Sequence, residues 1–222
     1  MAWRSPSSAT DGRIIRFNAA APGILNGVSI TPSGDTLIIN TDRLYVRGLA
    51  EATGRAIPGT EGARNVTVSS DGRWVAFQAG GKLKKVAVAG GDPLTLADVD
   101  DENPGSGWGP NNTVLFSPGW NSALVSVSAD PGGKPTAVST IDVASGESGH
   151  WWPQMLPDQK SVLFTIWMAG SGINDARIGV LDLTTGTLRA IGPGAFARYT
   201  RSGHLVYFHA GRGGSRRQHA AW

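Results

Sequence analysis

The residues best equipped for chemistry sit together in Gly149-His150-Trp151-Trp152-Pro153-Gln154. A histidine exchanges a proton near neutral pH. Adjacent indoles offer large, stiff surfaces that suit a bound peptide or sugar at small entropic cost. Trp108, Trp120 and Trp167 are further candidates for the same surface. Work as an acid or base would require a nucleophile and an orienting carboxylate near His150. No Gly-x-Ser-x-Gly elbow accompanies it, because Gly146-Glu147-Ser148-Gly149 has the wrong spacing. We therefore assign no catalytic residue from the sequence. His150, Trp151, Trp152, Trp108, Trp120 and Trp167 are read as binding candidates, with packing between sheets as the competing role for each tryptophan.

Metal chemistry has weaker support. Asp98, Asp100 and Glu102 alternate in Asp98-Val99-Asp100-Asp101-Glu102-Asn103 as carboxylates do in a calcium loop. The glycine at the sixth position and the downstream bidentate glutamate are missing. A solvated connector is the better reading, and no metal or other cofactor is expected. There are no cysteines, so disulfides, thiolate sites and a thiol nucleophile are excluded. His204, His209 and His219 lack metal-ligand spacing.

The net charge is +3 over 222 residues. Lys82, Lys84 and Lys85 share one strand, read as a solvated face, while Arg212, Arg216 and Arg217 fall near the end of the chain. Neither forms the patch or stripe of a nucleic-acid binder, and no nucleic-acid partner is expected. Met1–Arg13 is polar without an apolar stretch of signal-peptide type. No window approaches the roughly 18 apolar residues of a membrane span. The expectation is a protein that neither inserts in a membrane nor carries an export signal within these residues.

The elements that must position these groups announce themselves by repetition. Five segments share a turn followed by an apolar run: Ile30–Gly34 before Leu37-Ile38-Ile39, Val68–Gly72 before Trp74–Phe77, Trp108–Asn112 before Val114–Phe116, Met155–Gln159 before Val162–Phe164, and Tyr199–Gly203 before Leu205–Phe208. Pro32, Ser70, Pro110, Pro157 and Arg201 are equivalent positions spaced by about 38 to 47 residues, which brackets a four-stranded propeller blade. Pro, Asp, Asn and Gly at the turns supply the backbone angles of a hairpin. Two further strands and Gly-rich turns follow in the first four units. A single such sheet leaves apolar faces wet, so the sheets must stack about a common axis.

The spacing predicts an all-β propeller of about five four-stranded antiparallel blades, either closed or an incomplete ring. Residues 1–10 are expected to be disordered, 11–209 to form the propeller and 210–222 to be a polar tail. The blades are placed at about 25–60, 61–99, 104–142, 150–192 and 195–209, with an additional strand at 12–18. The end of the chain is not expected to complete the fifth blade. An open ring would expose apolar sheet and favour self-association.

Ser69-Ser70-Asp71-Gly72-Arg73-Trp74-Val75-Ala76-Phe77, with Gly81–Val86 and Gly90-Gly91-Asp92-Pro93, resembles the WD40-like repeat of TolB-type bacterial propellers. Similar repeats follow some bacterial serine/threonine kinase domains. Trp108-Gly109-Pro110, Trp152-Pro153-Gln154 and Leu156-Pro157-Asp158 fit the same pattern. The resemblance implies a six-bladed type of ring, incomplete in this chain, and a non-catalytic scaffold or sensor module that binds a protein or peptide in a periplasmic or other extracytoplasmic setting. The alternatives are a propeller hydrolase or lyase acting on peptide or carbohydrate, and a fragment of a larger kinase-linked or envelope protein.

Overall fold

A computed structural model describes residues 23–100, 104–200, 202–211 and 214–221. Among them the chain is all-β, with two short 3-10 turns at Val143–Ser145 and Ile173–Asp175 and no α-helix. The first blade contains β1 (Gly27–Ile30), β2 (Thr36–Asn40), β3 (Leu44–Gly48) and β4 (Arg55–Ala56). The second contains β5 (Arg64–Val68), β6 (Trp74–Ala79), β7 (Lys82–Ala87) and β8 (Leu94–Asp98). The third contains β9 (Ser106–Trp108), β10 (Thr113–Phe116), β11 (Val125–Ser128) and β12 (Thr136–Ala137). The fourth contains β13 (Glu147–Met155), β14 (Ser161–Met168), β15 (Arg177–Asp182) and β16 (Leu188–Pro193). In the fifth, β17 (Ala195–Tyr199) and β18 (His204–Gly211) are joined by β19 (Gly214–Ala221). Each sheet is ordered as its strands follow in the chain, which is the up-and-down meander of a propeller blade.

The apolar runs become the second strand of each blade. Leu37 through Asn40, Val75 through Ala79 and Val162 through Ile166 are buried without a break. Such a strand is covered on both faces, so it carries continuous rather than alternating apolar residues. Successive side chains point to opposite faces and enter different interblade cores. Val75 and Phe77 join Ile38, Leu44 and Ile57 between the first two blades, while Ala76 faces Val114 and Phe116 of the third. Leu115 then packs on Val162 and Phe164, and Leu163 on Ala197 and Leu205.

The turns behave as their residues require. Gly34, Gly72 and Gly203 have φ of +77°, +72° and +84°. Their amides donate to Thr31, Ser69 and Thr200 carbonyls respectively. A side chain is strained at such angles, so glycine recurs there. In the third blade Asn111 and Asn112 take the left-handed conformation instead, with φ of 53° and 55°.

Two expectations are corrected. The segment read as a polar tail contains β19, antiparallel to β18 from Gly214 to Ala221, because extended Ser, Arg and Gln residues satisfy the β18 backbone as well as apolar ones would. Lys85 does not belong to a solvated face: it is 4% exposed, and its ammonium sits 4.1 Å from the Trp74 ring centroid. The strand alternation puts it opposite Lys82 and Lys84, and the indole face offsets lost hydration. The strand expected at 12–18 and the segment 1–10 lie outside the described residues.

Candidate functional site

The innermost strands β1, β5, β9, β13 and β17 contact one another in sequence around the axis. They enclose a cavity of about 600 Å³. Every blade contributes a polar side chain to it: Ser29, Ser70, Ser106, Gln154, Gln159 and Arg198.

At the opposite end from the repeated hairpins, three of these strands are interrupted in the same way. Ladder register shifts between Arg64 and Thr67, between Trp151 and Gln154, and between Ala195 and Arg198. At each shift one residue has positive φ: Asn65 at 49°, Trp152 at 54° and Phe196 at 54°. A bulge of this kind leaves an extra residue and re-aims a side chain. Here it turns Trp152 onto Phe196, with ring centroids 3.8 Å apart and planes 30° apart. Bulky residues in this conformation are uncommon and strained.

Trp151, one residue earlier, meets the Trp152 ring edge-on, with centroids 5.4 Å apart. It is 3% exposed, stacks on Trp167 at 4.1 Å and meets Trp120 edge-on at 4.5 Å. Its Nε1 donates to the Trp120 carbonyl at 2.7 Å. Gly149 makes room, since a Cβ there would lie 2.2 Å from that carbonyl oxygen. Trp120 and Phe196 remain 41% and 42% exposed. The result is an aromatic wall across the third, fourth and fifth blades, anchored by one buried indole and open at its rim.

The structure therefore divides the sequence-named tryptophans. Trp120, Trp151, Trp152 and Trp167 come together in this wall. Trp108 does not; it lines the central cavity and packs against the core between the second and third blades, and its Nε1 donates to the Thr67 carbonyl at 3.2 Å. Phe196 was missed by sequence reasoning, because Ala195-Phe196-Ala197 looks like an ordinary strand and only the bulge exposes its ring.

His150 is fully buried. Its Nδ1 lies 2.7 Å from Ser139 Oγ and its Nε2 3.2 Å from Glu147 Oε2. The order resembles a hydrolytic triad, but the groups are committed elsewhere. Ser139 Oγ accepts from the Leu124 amide at 2.9 Å, and Glu147 Oε2 accepts from the Asp142 amide at 2.9 Å. Thr60 meets the Leu44 amide in the first blade by an equivalent bond of 3.0 Å, so the hydroxyl is an architectural lock. Burial pushes the His150 pKa down, against the smaller opposing pull of Glu147.

Asp98 pairs with Lys82. Asp100 lines a small recess against the second blade, with Arg64 and Gln78, and Glu102 lies outside the described residues. Among the described residues, no three His, Cys, Asp or Glu side chains gather as a metal site would require.

The chain matches no family model and no curated protein. Solved structures share its fold. A protein assigned as TolB from Agrobacterium tumefaciens is 19% identical with a TM-score of 0.67, over 86% of this chain and 71% of its own. TolB from Acinetobacter baumannii is 14% identical with a TM-score of 0.69, over 91% and 53%. An oligogalacturonate lyase in complex with manganese is 16% identical with a TM-score of 0.64, over 84% and 59%. The chain thus spans about half to seven-tenths of the length of these neighbours. At such identities the likeness speaks for architecture, which enzymes and non-enzymes share. Five stacked sheets, their shared axis and these neighbours together give the chain the TolB-like, WD40-like β-propeller fold.

Proposed function

We propose that this propeller is a non-catalytic protein- or peptide-binding module whose docking surface is the aromatic wall at the channel mouth. The observation that carries the reading is the pairing of a buried anchor, Trp151, with the exposed rings of Trp120 and Phe196. A protein that keeps large aromatic surface exposed gains by covering it with a partner. The burial of Ser139, His150 and Glu147, and the commitment of the hydroxyl and carboxylate to backbone amides, support a binding rather than a hydrolytic role. An extracytoplasmic location is part of the proposal and rests on likeness to TolB alone. Among the described residues no helix is long and apolar enough to cross a membrane.

A phage-displayed peptide library panned on the purified protein tests this. The wild type should enrich a motif, and a Trp120→Ala, Phe196→Ala double variant should lose at least about tenfold in affinity for it, the loss of one modest hot spot. Equal binding by the variant would remove the wall from consideration. A propeller lyase or hydrolase is the second reading, because indole faces also stack on sugar rings. Release of product from oligogalacturonate by the wild type would favour that reading.

A further inference from the structure

We propose that the channel holds a carboxylate-binding site built on Arg198, so that the peptide this protein takes places an aspartate or glutamate side chain there. The inference rests on the peptide-binding reading above and names the ligand chemistry of its deeper half.

Among the described residues, Arg198 is the only charged side chain lining the central cavity. It projects from β17 and spends one nitrogen, Nη1, on two neutral acceptors, the Trp152 carbonyl at 3.1 Å and the Ala197 carbonyl at 2.9 Å. A guanidinium has five N–H donors, so most of its capacity is unspent by the protein. None of the ion pairs among the described residues includes it. The carboxylates around the hairpin end of the channel, Asp35, Asp71 and Asp158, are each held by hydrogen bonds within their own turns and do not line the cavity.

The guanidinium stays open to water in the channel, yet protein surrounds it on most sides, and that partial desolvation lowers its pKa. It remains a cation facing the channel. An anion arriving there gains a charge-assisted hydrogen bond in a fork geometry that suits a carboxylate. Ser29, Ser70, Ser106 and Gln159 add neutral polar groups around the same space. About 600 Å³ admits a short peptide segment rather than a folded domain. Through its bond to the Trp152 carbonyl, Arg198 is tied to the bulge that stacks Trp152 on Phe196. The acidic residue should therefore lie next to an apolar or aromatic one, which the wall would take.

Fluorescence anisotropy with two labelled peptides, Gly-Gly-Glu-Phe-Gly-Gly and Gly-Gly-Gln-Phe-Gly-Gly, tests the inference. The wild type should prefer the glutamate peptide by about tenfold at low salt, the worth of one hydrogen bond to a charged group. That preference should shrink as salt is added. Arg198→Gln should bind both peptides alike, and Arg198→Lys should keep part of the preference. If Arg198→Gln fails to fold, the lysine variant and the salt series decide. Equal binding of the two peptides by the wild type would overturn carboxylate selection while leaving the peptide-binding reading standing. Binding of trigalacturonate with no binding of either peptide would overturn both.

Discussion

His150 shows how a reactive residue can be spent on architecture. Between Ser139 and Glu147 it is held neutral by burial, and its pKa lies below the ordinary 6.5. The unfolded chain therefore binds more protons than the folded one below about pH 6.5, so this contribution is complete above that pH and is lost as pH falls through it toward the folded pKa. Urea midpoints should fall between pH 8 and pH 5.5, and His150→Gln should flatten that fall. The turn carboxylates act in a lower window; hydrogen bonds from Ser69 and from the Arg73 amide hold Asp71 down to about 2. Trp151 gives a second test at this scale. Trp151→Ala should cost about 3–5 kcal/mol, as large core truncations do. Trp151→Phe should cost about 1–3 kcal/mol by leaving the Trp120 carbonyl without its donor. Equal thermal denaturation of both variants and wild type would show that the wall is not held by its buried indole.

At the scale of elements, the innermost strands decide what the channel presents. A regular β13 would send alternate side chains to alternate interblade cores. The shift between Trp151 and Gln154 breaks that rule, so two adjacent tryptophans meet edge-on and join one aromatic wall. Gly149 is part of the same device. A Cβ would collide with the Trp120 carbonyl, which belongs to backbone and cannot swing aside. Gly149→Ala should therefore loosen the loop carrying Trp120, seen as a red shift and loss of intensity in tryptophan fluorescence, with a stability loss of about 1–3 kcal/mol from overpacking. Unchanged spectra would contradict the close approach. The hairpins were legible beforehand because Gly, Pro and Asn mark required backbone angles. The bulges were not, since Trp152 and Phe196 carry no preference for positive φ, and Asn65 alone within a strand marks no turn.

Across the whole molecule, each blade touches only its neighbours through a separate apolar cluster, which makes stability a sum of blade and interface contributions. Among the described residues, the first blade lacks one such contact. Val68, Trp108, Met155 and Tyr199 each pack on an interblade core, whereas their counterpart Ile30 is 51% exposed beside Val28 at 52%. Amide exchange should accordingly be fastest in β1 and slowest in β10 and β14. Uniform exchange across the five sheets would argue for a closed, evenly loaded ring. Phe116→Ala, at the centre of the second cluster, should lower stability by about 3–5 kcal/mol.

Turn residues, apolar runs and their spacing were enough on their own to determine that this chain folds into stacked β-sheets, because backbone angles at hairpins and burial on both faces leave direct marks on residue choice. The tertiary structure alone decided which aromatic residues meet. It buried Trp151, sent Trp108 into a core, brought Phe196 to Trp152 and left Arg198 in the channel without a carboxylate. Those outcomes depend on bulges and on contacts between strands some forty residues apart, and a local sequence pattern holds no record of either.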